Sequence, residues 1–226
     1  MAEIMQAPWL LASKWTGTTA QKLNPAFQYK SIASEAVISC LFACLSILAV
    51  RGVHAGMPFG SSFPPLQQDA SLILGSFGAT AVLLCHAIDS PLAQPANLIL
   101  GHTLSAMVGV TISKIFSTEW VSLETRSLVA PALAVALSIL VMGLTGTMHP
   151  PGGATSLIAV ISSSEIQDLG FSYALRPVLT GAGTMLVCAL VLNNIVASRN
   201  YPQYWVPPLW SSLFSHFFSD TVFRRK

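Results

Sequence analysis

The chain has 226 residues, 53% hydrophobic and 9% charged, with a net charge of +2 and a mean hydropathy of +0.63. A soluble domain carries about 25% charged residues, so these few charges could not cover a large water-exposed surface. The small, dispersed positive charge gives no footing for a nucleic-acid partner. Several apolar runs of spanning length instead predict an all-α, polytopic helical membrane protein with four to six membrane segments.

Residues 1–31 read as an N-terminal tail. Lys14, Lys22 and Lys30 beside one acid, Glu3, weakly allow a transit peptide and fit a basic cytosolic tail equally well. No compact apolar stretch with a small-residue cleavage site is present there, so a secretory signal is not expected. The first predicted segment runs from about Ile32 to Val50, with Glu35 near its start and Arg51 closing it. A Gly/Pro/Ser-rich loop, "GVHAGMPFGSSFPPLQQD", follows. The second segment is Ala70 to Ile88, the third about Gln94 to Ser113, and the fourth Ser127 to Met148. Next comes "GGATSLIAVISSS", Gly152 to Ser164. As a helix it is about 20 Å long, too short for a hydrocarbon core of about 30 Å. The last segment is Pro177 to Ser198, closed by Arg199. Residues 206–226 form an aromatic and basic tail ending "FRRK", either an interfacial anchor or a poorly ordered end. Cys40, Cys44, Cys85 and Cys188 lie in apolar runs without CxxC spacing and read as small buried hydrophobes.

The chain repeats itself. "GSFGATAVLL" from Gly75 resembles "PPGGATSLIA" from Pro150, sharing G-A-T at an offset of 75 residues. The offset also aligns "LSAMVGV" from Leu104 with "LTGAGTM" from Leu179. Two halves are therefore expected, about 32–116 and 127–198, each with a long segment, a G-A-T segment and a small-residue segment. Chance similarity of two apolar helices is the competing explanation. If every segment spans, there are six spans and the halves are inverted. If the G-A-T segments are short broken or re-entrant helices, there are four spans and the halves are parallel. With both termini in the cytosol, six spans place seven of the eleven Lys and Arg inside, and four spans place nine there. The charge rule leans to four; the length of Ala70 to Ile88 leans to six.

The stretch "TGTMHPPGGATSL" interrupts 38 residues that lack Lys, Arg, Asp and Glu. Pro150 and Pro151 have no N–H and disfavour helix in the residue before each. One helix should end near Met148 and another begin near Ala154. The first N–H groups of that new helix have no intrahelical partner, lipid offers none, and a small anion is a good one. The first half repeats the device at Gly78, Ala79 and Thr80. Candidate ligand-binding residues are thus His149, Pro150, Pro151, Gly152, Gly153, Ala154 and Thr155 with Gly78, Ala79 and Thr80. His149 can bind a ligand, carry a proton or cap the preceding helix; a neutral imidazole satisfied by a carbonyl is the plainer alternative. His86 and His102 are candidates for a polar pathway. Gly101, Ser105 and Gly109, like Ala130, Ala134 and Ser138, have the small-xxx-small spacing of helix packing. The five His are too scattered for a metal site, and no cofactor is expected. No G-x-S-x-G, P-loop or H-E-x-x-H is present, so no enzyme is expected.

Five blocks carry a family resemblance: "GSFGATAVLL", "SPLAQP", "GHTLSAMVGV", "HPPGGATSL" and "RNYPQYW". Across about 32–205 the chain resembles the HPP family of integral membrane proteins, named for the HPP of "HPPGGATSL". The resemblance implies four transmembrane helices and transport, and some plastid and cyanobacterial members are described as nitrite transporters. Two functions are therefore expected in competition. One is a multi-pass carrier or channel for a small inorganic anion, nitrite first, with His149 orienting the ligand or coupling a proton. The other is a non-transporting scaffold or subunit that binds partner helices, or a second copy of itself, through small-residue faces. The lipid bilayer is a partner in both, and the sequence leaves plasma or organellar membrane open.

Overall fold

A computed structural model describes residues 25–56, 75–207 and 210. Its contacts define two units, Met1–Val37 and Ile38–Lys226. The described part of the first is the start of α1, Pro25–Gly56; the remaining elements belong to the second. They are α2 (Gly75–Cys85), a 3-10 turn (Pro91–Ala93), α3 (Pro95–Phe116), α4 (Leu123–Thr145), α5 (Pro150–Ile161), α6 (Ser164–Asp168), a wide turn (Ala174–Leu179) and α7 (Thr180–Ile195). Among the described residues the fold is all-helical, as the composition predicts.

Among the described residues, four helices are long and apolar enough to cross a bilayer: Ala33–His54, Pro95–Phe116, Leu123–Thr145 and Ala174–Ile195. α2 and α5 have 11 and 12 residues, about 16 and 18 Å at 1.5 Å per residue. Over its described length neither reaches across about 30 Å of hydrocarbon. The structure therefore supports the four-span count, which sets two spans in each half. The loop expected before α2 lies mostly outside the described residues, as does the tail beyond Pro207 except Trp210.

The segment ends follow local chemistry. Ser122 caps α4 by accepting from the Thr125 N–H at 3.2 Å. Gly146, at φ 67°, takes the left-handed conformation that closes α4, and the Trp210 indole donates to the Thr145 carbonyl at 2.7 Å. The helix expected to run to Met148 thus stops at Thr145, because the glycine turns the chain before the prolines are met. The next helix begins at Pro150 and not near Ala154. Both prolines sit in its first turn, where a missing N–H costs nothing and the fixed φ is already helical. Arg176, pushed to extended dihedrals by the following proline, breaks the start of the last span (φ −139°, ψ 121°).

α5 is the packing centre. A Cβ on Gly101 would lie 2.5 Å from the His149 Cβ, and one on Gly152 would lie 2.6 Å from the Gly101 carbonyl oxygen. On the next turns a Cβ on Gly109 would meet the Ser156 carbonyl oxygen at 2.5 Å. α3 and α5 therefore cross with backbones nearly touching, which only small residues permit. Ala130, Ala134 and Ser138 of α4 are fully buried, and the Ser156 hydroxyl donates to the Ala134 carbonyl at 3.2 Å. Both small-residue sets act within the chain. Cys85 is buried, but Cys40 and Cys44 are exposed on α1, so the reading of all four as buried fails there. An apolar thiol facing lipid meets no penalty.

Candidate functional site

The two G-A-T stretches both lie in helices, at the offset of 75 seen in the sequence. Their threonines, Thr80 and Thr155, therefore occupy matching places in the repeat. Thr80 and Thr155 are both fully buried, as are His102 on α3 and His149 at the N-cap of α5. The four side chains form one continuous polar cluster. The Thr80 hydroxyl lies 2.8 Å from His102 Nε2 and 3.2 Å from His149 Nε2. The Thr155 hydroxyl lies 2.7 Å from His102 Nδ1 and donates to Ser76 Oγ at 2.9 Å. His149 Nδ1 faces the Leu92 carbonyl at 2.7 Å. The two imidazoles meet edge-on with centroids 4.8 Å apart, and Phe77 packs on His102 from the other side at 5.4 Å.

Outer contacts hold this arrangement. The Asn97 amide donates to the Met148 carbonyl at 2.9 Å, fixing the chain just before His149. The Tyr173 hydroxyl donates to the Thr155 carbonyl at 3.0 Å. Ser105 Oγ would lie 2.9 Å from a Cβ on Gly152 and, like Ser138 Oγ and Asn97 Oδ1, is buried with no hydrogen-bond partner among the described residues. Unpaired polar atoms at such depth are uncommon.

The structure sorts the sequence candidates. His149, Thr155, Thr80 and His102 come together. Pro151, Gly152 and Gly153 are buried beside them, Ala154 is half-buried, and Pro150 is exposed. Gly78 and Ala79 lie on the exposed side of α2, away from the cluster. His86 also lies apart, with Nδ1 3.1 Å from Ser39 Oγ. The expected row of free backbone donors at the start of α5 is largely absent. Pro150 and Pro151 have none, and the Gly152 N–H already donates to the His149 carbonyl at 2.8 Å. The polar atoms turned into the site belong to side chains. Sequence reasoning missed Ser76, Asn97 and Tyr173; Ser76 alone had a signal, since it lies inside the repeated block.

A second buried network ties the remaining motifs to α2. Arg199 is 8% exposed. It donates to the Cys85 carbonyl at 2.9 Å, to Asn193 Oδ1 at 3.0 Å and to Ser39 Oγ at 3.0 Å. Asn193 in turn donates to the Leu84 carbonyl at 2.9 Å. A cation thus sits at the negative end of α2, where the helix dipole favours it. Gln94 accepts from the Gln203 N–H at 2.8 Å, and the Tyr201 hydroxyl donates to the Ala93 carbonyl at 2.7 Å. Burial pushes the Tyr201 phenol up, keeping it a neutral donor. "SPLAQP" and "RNYPQYW" are therefore two faces of one joint.

A family model, described as the HPP transmembrane region, matches residues 28–202. The chain belongs to the HPP family. This HPP protein is 40% identical over 192 residues to a transmembrane protein of Dictyostelium discoideum, covering 85% of this chain and 62% of that one. A second Dictyostelium discoideum transmembrane protein is 46% identical over 140 residues, 62% of this chain and 43% of its own length. The HPP chain thus spans about three fifths of the first relative and under half of the second. No solved structure matches it. Family, relatives and four apolar helices together make this HPP protein a multi-pass membrane protein.

Proposed function

We propose that this HPP protein transports a small inorganic anion, with nitrite the first candidate, through the cluster of Thr80, His102, His149 and Thr155. One observation carries this reading: the repeat-related threonines and the motif histidine converge with His102 in a buried polar core between two helices too short to span. Such a core has no structural need of so many polar groups. An anion leaving water needs donors in return, since its desolvation costs several kcal/mol or more. Hydroxyls and imidazole N–H groups supply them, and the unpaired Ser105 hydroxyl stands beside Gly152 to add another. Half-helices meeting near the midplane are a recurrent plan for anion carriers. The scaffold alternative is weakened, because Gly101, Gly109 and Ala134 are occupied by packing inside the chain.

The test is nitrite uptake into proteoliposomes holding the purified chain. Uptake above empty liposomes is expected under an imposed pH gradient. No uptake at any gradient sinks the nitrite assignment, and unchanged uptake in His149→Ala removes the histidine from the mechanism.

A further inference from the structure

The start of α4 and the end of α5 border a cavity of about 320 Å³. That is the lower end of ligand pockets, about 300–1,000 Å³. Leu123 and Pro131 of α4 line one side, and Val160 and Ile161 of α5 line the other. Leu123 opens α4 and Ile161 closes α5, so the cavity lies where these two membrane helices end. Trp120, just before α4, is 96% exposed. Aromatic residues of this kind collect at the headgroup level of a bilayer.

One cation stands on the cavity wall. Arg126 is half-buried there, and its guanidinium donates to Gln167 Oε1 at 2.7 Å. Gln167 is itself fixed by the last carbonyls of α5. Its amide N–H groups donate to the Val160 carbonyl at 3.0 Å and to the Ser162 carbonyl at 2.8 Å. The amide oxygen is therefore aimed at Arg126 and holds the cation beside the cavity. It does not neutralise it. A guanidinium carries five N–H donors, and among the described residues Arg126 pairs with no carboxylate. Glu124 of α4 and Glu165 and Asp168 of α6 lie near it along the chain or beside Gln167, but all three are exposed.

We propose that this cavity seats one bilayer phospholipid, with its phosphodiester on Arg126 and the start of one acyl chain along Pro131, Val160 and Ile161. The apolar walls suit a chain, and the cation above them selects a headgroup with an anion at the membrane surface. A phosphodiester matches the planar fork of a guanidinium. The rim selects further. One cation and three carboxylates leave it net negative, which disfavours a headgroup of net negative charge and favours a terminal ammonium. The lipid class is therefore zwitterionic and amine-bearing, as in phosphatidylethanolamine. A second copy of the chain suits the cavity less, because two such rims would oppose like charges. The site is separate from the histidine and threonine cluster and stands whether or not that cluster carries an anion.

The experiment is native mass spectrometry of the full chain in detergent, titrated with phosphatidylethanolamine, phosphatidylglycerol and diacylglycerol of the same acyl chains. One phosphatidylethanolamine is expected to stay bound at collision energies that strip any others, more firmly than either competitor. Arg126→Gln weakens that first lipid about fivefold or more, and Arg126→Lys restores part of the loss. Ile161→Trp, at a wall residue that is 60% exposed, fills the groove and abolishes retention. Glu124→Gln with Glu165→Gln and Asp168→Asn removes the preference over phosphatidylglycerol. The Arg126 and Ile161 variants act on different parts of the site, so if one fails to fold the other decides. Diacylglycerol held as firmly as the phospholipids, or unchanged retention in Arg126→Gln and Ile161→Trp, overturns the site. Equal retention of the two phospholipids overturns the amine-bearing headgroup. A lipid-free dimer that Ile161→Trp dissociates overturns the lipid and makes the cavity an interface between copies.

Discussion

Thr80 and Thr155, 75 residues apart, hold the two nitrogens of one imidazole, at 2.8 Å and 2.7 Å from His102 Nε2 and Nδ1. The internal repeat thus meets itself at a residue that belongs to only one half. His102 has no counterpart at the repeat offset, where Pro177 stands.

This pairing predicts a hydroxyl requirement. Thr80→Val and Thr155→Val keep shape but leave a buried imidazole nitrogen without its partner, worth about 1–3 kcal/mol. Nitrite uptake in proteoliposomes is expected to fall about tenfold or more in each. Thr80→Ser and Thr155→Ser should stay within about threefold of the parent. Valine variants that transport normally would remove the threonines from the site.

The adjacent glycines of the motif should behave differently. A Cβ on Gly152 would lie 2.6 Å from a backbone oxygen, whereas one on Gly153 meets only Val135 Cγ1 at 3.9 Å and one on Gly78 meets nothing within 4 Å. Gly152→Ala should lose about 1–3 kcal/mol through overpacking and lower the melting temperature in detergent. Gly153→Ala and Gly78→Ala should hold or raise it, since alanine favours helix by about 1 kcal/mol. Equal melting temperatures for all three would contradict the close α3–α5 crossing.

Arg199 is predicted to be structural. Replacing it with Ala removes the donor to the Cys85 carbonyl and to Asn193 Oδ1, so a loss of about 1–3 kcal/mol for each acceptor left unsatisfied and poor recovery from membranes are expected. Lysine lacks the planar fork that reaches three acceptors at once and should rescue only partly. Fluorescence-detected size-exclusion profiles of both variants check this; an unaltered peak for Arg199→Ala would refute it.

Much of this plan is legible in the sequence, and its failures have identifiable causes. The charge rule points to four spans, whereas the apolar length of Ala70 to Ile88 points to six; the helix described there, Gly75–Cys85, has 11 residues. The repeat locates the matching threonines, because the shared G-A-T falls inside a helix in both halves. The boundary at Pro150 is misplaced by reading proline as a helix breaker, when in the first turn it is a helix starter. The outward turn of Gly78 and Ala79 is hidden, since α2 is apolar on all sides and has no periodic face to read. The joint between Arg199 and Cys85 spans 114 residues and leaves no local trace.

Topology offers a further check. Trp120, between α3 and α4, is 96% exposed. In a four-span protein this loop lies on the same side as both termini. A cysteine at position 120, with Cys40 and Cys44 replaced because they are exposed, should react with impermeant maleimide only after the membrane is permeabilised, if the termini are cytosolic. With the termini cytosolic, labelling from the outside alone would exclude four spans.

The two prolines at the head of α5 have a last consequence. A helix that opens with bare N–H groups would cling to whatever satisfied them and release it slowly. Pro150 and Pro151 carry none, and Gly152 is answered by His149. On the proposed anion reading, the start of α5 therefore adds few backbone donors to grip the ion, and a site that holds its ligand through side chains alone can release it readily.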